Sequence, residues 1–74
     1  MDIRIVNKEG NMIAVGDRTL RTNGKMLCLL SHNNELETIQ SFESEEIAEG
    51  VKRAIVKKVK GAMDYDLGLI VIEL

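Results

Sequence analysis

Residues 44–60 repeat their apolar side chains at helical spacing and form the one clear helix in the chain. At 100° per residue, Ile47, Ala48, Val51, Ala54, Ile55 and Val59 share one wide face, which Ala62 extends. Glu46, Glu49, Arg53, Lys57 and Lys60 line the opposite face, with Glu49 and Arg53 at the favourable i,i+4 spacing. Ser44 is placed to cap the first free N–H groups, and Glu45 and Glu46 occupy the first turn. Lys57, Lys58 and Lys60 suit the negative end of the dipole, and Gly61 reads as the residue just past the helix. Caps and dipole thus account for the charge pattern without a ligand. Two residues break it. Gly50 costs about 1 kcal/mol relative to Ala in a helix interior, and its place beside the apolar face points to a close backbone approach. Lys58 projects from the middle of that face. Its stem is expected to lie on the core with the ammonium reaching past the sheet edge, the alternative being a buried, chemically active lysine.

The remaining residues alternate or turn. Residues 2–7 set Ile3 and Ile5 against Arg4 and Val6, as a strand does, and residues 12–15 return after a turn at 8–11. Residues 18–22 and 25–30 flank Asn23-Gly24. That pair is a strong hairpin signal, because both central residues of a type I′ turn need positive φ. An Asn-rich turn over 32–35 leads into residues 36–42, where Leu36, Ile39 and Phe42 do not share one parity, so the run is either a bulged strand or a helical stretch. After a loop over 61–67, residues 68–74 form a strand with Leu69, Ile70, Val71 and Ile72 apolar on both faces. The sequence therefore predicts one α+β domain over 1–74. It comprises an antiparallel meander of four to five short strands, a helix over about 44–60 packed on one face, and a C-terminal apolar strand over about 68–74.

A strand apolar on both faces calls for cover on both, and one helix covers one side. Chain length sharpens the problem: a domain of 74 residues buries only about 60% of the surface its unfolded chain exposes. Its core supplies roughly 3–5 kcal/mol, so small domains add a disulfide, a metal or a partner. One Cys rules out an internal disulfide, and one His with one Cys falls short of the four ligands of structural zinc. A homo-oligomer follows as the expectation, a dimer by preference, with Leu69 and Val71 as candidate oligomer contacts. With 45% apolar and 30% charged residues the chain is not of the disordered class. No run approaches the ~18 apolar residues of a membrane span. Asp2 and Arg4 with no apolar stretch behind them predict no signal peptide. Sparse cysteine fits a reducing cytoplasm.

Site chemistry is thin. His32, the only histidine, sits beside Ser31 in a turn without a positioned partner. Cys28 lies mid-strand with neither a helix N-terminus nor a local cation to activate it, and reads as a buried, inert thiol. Asp64, Tyr65 and Asp66 offer two carboxylates that need Asp17 or Glu73 to converge on them; loop carboxylates are more often turn formers. The scattered glycines match no phosphate-binding spacing. No catalytic, cofactor-binding or metal-binding residue is therefore expected, and no cofactor. A net charge of −2 argues against a dedicated duplex-DNA binder. Arg18, Arg21 and Lys25 gather on one hairpin, with Arg4 a further candidate nearby, but neither Phe42 nor Tyr65 falls there to stack a base. The leading expectation is a non-enzymatic, self-associating module that binds another protein. The alternative is a weak nucleic-acid-binding accessory protein using Arg18, Arg21 and Lys25. A third reading is an enzyme with a site shared between subunits around Lys58, Asp64 and Asp66.

Ile3 to Asn7, then Gly10 to Ile13, a variable meander, the run Phe42-Glu43-Ser44-Glu45-Glu46-Ile47-Ala48-Glu49 and a closing apolar strand together form a pattern. It resembles small proteins of Gram-positive bacteriophages and integrated mobile elements. Gly50 and the lack of a C-terminal proline depart from that pattern. The resemblance implies a fold and a mobile-element origin, and carries over no functional residue.

Overall fold

In a computed structural model, which describes residues 2–64 and 68–74, alternation in the N-terminal residues becomes β1 (Asp2–Val6), followed by β2 (Met12–Ala14). Asn7 shapes the turn between them: its side-chain oxygen accepts from the N–H of Glu9 at 3.1 Å and of Asn11 at 2.9 Å, while Gly10 takes a φ of 88°. β1 is central in the first sheet, antiparallel to β2 and parallel to the C-terminal strand (Leu69–Glu73), with Ile3 opposite Ile70 and Ile5 opposite Ile72. β3 (Thr19–Asn23), β4 (Met26–Leu30) and β5 (Leu36–Ser41) form a second, antiparallel sheet. The C-terminal strand is thus β6, and the helix α1 (Glu45–Asp64) precedes it. The fold is α+β, with the meander divided between two sheets.

One local expectation shifts, and one left open resolves to a bulged strand. Asn23 pairs with Met26, so the β3–β4 loop is Gly24-Lys25 rather than Asn23-Gly24. Gly24 alone of the two has positive φ, 62°, which matches a type II′ turn with Gly first. Residues 36–41 are strand, not helix. Leu27 pairs with Gln40 and Cys28 with Thr38, leaving Ile39 as the extra residue of a β-bulge. A bulge frees backbone groups, and the Ile39 carbonyl accepts from Asn7 Nδ2 at 3.0 Å. Gln40 Oε1 accepts from the Lys8 N–H at 2.7 Å. These two bonds tie the β1–β2 turn to β5, where no strand pairing joins the sheets.

The helix begins as expected, with Ser44 Oγ accepting from the Ile47 N–H at 3.2 Å. It ends later. Gly61 lies inside it rather than beyond it, because Ala62 is buried in the core and that packing outweighs the ~1 kcal/mol cost of a helical glycine. The last turn consequently carries no basic residue. Gly50 meets no close neighbour either, since a Cβ there would find nothing within 4 Å, so the close backbone approach is absent. The helix packs across β3, β4 and β6, and Ile55 and Ala62 join Ile5, Leu27, Leu29, Ile39, Ile70 and Ile72 in one core. Lys58 is exposed, beside Ile72 and Leu74 at β6, as its snorkelling reading requires. Among the described residues no helix is long and apolar enough to cross a membrane.

Candidate functional site

Two surfaces stand out, on opposite elements of the fold. The first is the outer face of the β1–β2–β6 sheet. Alternation along β6 sends Ile70 and Ile72 into the core and leaves Leu69 54% and Val71 41% exposed. Asp2 and Arg4 of β1 stand opposite Leu69 and Val71, and Met12, opposite Val6, is 55% exposed on the far side. An Arg4–Asp2 ion pair of 3.0 Å runs between these apolar flanks. Among the described residues β6 has β1 on one side and no strand on the other, so its second row of main-chain donors and acceptors is an open edge.

The second surface lies on α1. Lys52, Arg53, Lys57, Lys58 and Lys60 are five of the 10 basic residues of the chain, packed into nine positions without an acid. The dipole explains them poorly, because its effect fades beyond the last turn and the helix runs on to Asp64. Among the described residues none of the five lies within ion-pairing distance of a carboxylate. Lys52, Arg53, Lys57 and Lys60 surround the partly exposed Val56 in a shallow depression. Arg21 and Thr22 of β3 line an adjoining depression that also contains Lys52. On the other side of Val56, a groove of about 290 Å³ opens between the C-terminal half of the helix and both sheets. Ile3, Val15, Leu20, Val59 and Met63 wall it, and Lys60 contributes only its aliphatic stem.

The hairpin cations do not converge. Arg18 is committed to Glu37 and to the carbonyls of Ala14 and Val15, Lys25 occupies the turn, and Arg21 stands beside Cys28 in the β3–β4 register. His32 is 79% exposed with Nε2 3.2 Å from Asp17, while Ser31 Oγ accepts from the N–H groups of Asn33 and Glu35 and so organises its own turn. Cys28 is buried, its Sγ 3.8 Å from Thr38 Oγ1. Tyr65, Asp66 and the side chain of Asp64 lie outside the described residues. Among the described residues no three His, Cys, Asp or Glu side chains gather as a metal site would need. Val56, Met63 and the groove were missed by sequence reasoning. Their signal was the acid-free basic run over 52–60, which the supposed helix end at Gly61 had absorbed into the dipole. No family model, no curated protein and no solved structure matches this chain.

Proposed function

We propose that the chain is a non-enzymatic, cytoplasmic protein–protein interaction module that self-associates through β6. The observation that carries this reading is an open-edged strand with Leu69 and Val71 exposed on its outer side. Antiparallel pairing of β6 with its counterpart in a second copy satisfies both edges at once and makes the contact isologous, which closes a dimer. It also lays Leu69 and Val71 beside their equivalents, so the outer apolar side chains lose water together.

The nucleic-acid reading draws less support from the hairpin, since Arg18 is held by Glu37 and the three cations do not share a surface. Sedimentation velocity tests the leading reading. The wild-type chain is expected to sediment as a dimer at micromolar concentration. The Leu69→Lys/Val71→Lys double variant should sediment as a folded monomer with an unchanged circular dichroism spectrum. A wild-type chain that stays monomeric at high micromolar concentration overturns it.

A further inference from the structure

We propose that the basic face of α1 and the adjoining groove form a docking site for an acidic peptide segment carrying apolar anchor side chains. Two independent features select that chemistry. Lys52, Arg53, Lys57 and Lys60 form a positive rim with no intramolecular carboxylate partner among the described residues. Such a rim in a chain of net charge −2 raises the encounter rate with negative segments and discriminates against basic ones. The rim then gives way, through Val56 and the stem of Lys60, to a groove walled by Ile3, Leu20 and Met63. Charge alone has no use for that groove, whereas an apolar anchor side chain fits a cleft of about 290 Å³.

Nucleic acid is the weaker match for the same surface. Non-specific single-strand binding combines a basic track with aromatic platforms. Phe42, the one aromatic among the described residues, lines a separate depression with Lys8, Glu43 and Ile47. Among the described residues, bases would meet only aliphatic walls there. An acidic peptide with Leu or Phe anchors satisfies both rim and groove. β3 is moreover an edge of its sheet, so unpaired main-chain groups border the depression that contains Lys52.

The test is fluorescence anisotropy at low and moderate salt, using the full chain and a fluorescein-labelled peptide rich in Glu and Asp that carries Leu and Phe. Saturable, salt-sensitive binding is expected. Replacing the Leu and Phe of the probe by Ser should weaken it about tenfold, the loss of an anchor from its pocket. Lys57→Glu/Lys60→Glu should weaken it about tenfold by reversing two rim charges. Lys8→Glu, a charge reversal off the site, should leave it unchanged. Circular dichroism of each variant separates a binding defect from a folding defect, and Lys57→Gln/Lys60→Gln provides a milder pair with a smaller loss in the same direction. The Leu69→Lys/Val71→Lys variant should bind the peptide as the wild type does, so this site and β6 self-association fail separately. Equal binding of the Ser-substituted probe overturns the proposal, as does indifference to Lys57→Glu/Lys60→Glu. So does tighter binding, through the same lysines, of a single-stranded oligonucleotide or of phosphatidylserine vesicles.

Discussion

β4 and β6 are both five-residue strands built mainly of aliphatic side chains, yet they differ in how many faces the fold covers. In β4, Leu27 and Leu29 face the helix while Cys28 points the other way, and all three are buried. In β6, Ile70 and Ile72 are buried while Leu69 and Val71 are not. Composition cannot be the cause. Position in the sheet is: β4 is central, so Cys28 is flanked by Arg21 on β3 and by Thr38 on β5, whose Oγ1 lies 3.8 Å from its Sγ. Val71 is flanked by Arg4 on β1 alone. A central strand can be covered by its own neighbours, without a second layer. An edge strand of the same material lacks half of that cover, and its outward side chains, Leu69 and Val71, stay exposed.

Leu29→Ala presses hardest on this contrast. Truncating a fully buried leucine in β4 should cost about 2–5 kcal/mol, through lost transfer energy and the cavity left behind. Urea unfolding measures it, and a loss under about 1 kcal/mol would mean that β4 is not the anchor of the core. Asn7→Ala comes next. It removes two acceptor contacts in the β1–β2 turn and strands the carbonyl of the bulged Ile39. The expected loss is about 2 kcal/mol, mostly the penalty of an unpaired buried group. Its sharper use is cooperativity. If this bond couples the sheets, hydrogen exchange should show β1 and β2 opening more readily in the variant while β3–β5 stay protected.

Local rules made the helix, its Ser44 cap, both hairpins and the irregularity at Ile39 legible in the sequence. What escaped them depends on distant residues. The parallel pairing of β6 with β1 joins opposite ends of the chain, and no spacing announces it. Met26–Leu30 is an apolar run as unbroken as Leu69 to Ile72, so apolarity on both faces does not distinguish β6 from β4, which is covered within its own sheet. The helix end was misplaced because Gly61 looks like a stop until Ala62 is seen in the core. That error then hid the cationic surface, since lysines at a helix terminus need no further reason. Arg18, Arg21 and Lys25 looked like a group because they share a hairpin, but Glu37 claims Arg18 from another strand. Gly50 is a remaining oddity with a measurable consequence. With nothing near its absent Cβ, Gly50→Ala should stabilise the fold by about 0.5–1 kcal/mol, raising the urea midpoint without changing the slope. Destabilisation there would reveal a close contact and restore the original reading of that glycine.

The smallest expected effect bears most directly on the comparison. Val71→Ala and Leu69→Ala remove side chains that are 41% and 54% exposed, so in a dilute, monomeric sample each should change stability by less than about 0.5 kcal/mol. Leu29→Ala removes the same kind of material from β4 at several times that cost, and the ratio between them measures how far sheet position outweighs composition. Concentration changes the expectation. If β6 pairs with a second copy, the wild-type melting temperature rises with protein concentration, because association stabilises only the folded chain. In Leu69→Ala/Val71→Ala that rise should flatten, while the dilute-limit melting temperature stays near the wild-type value. A double variant that is strongly destabilised even when dilute would place Leu69 and Val71 in the core of a single chain and erase the distinction between the two strands. A wild-type melting temperature independent of concentration would keep the distinction and leave β6 an edge strand without a partner copy.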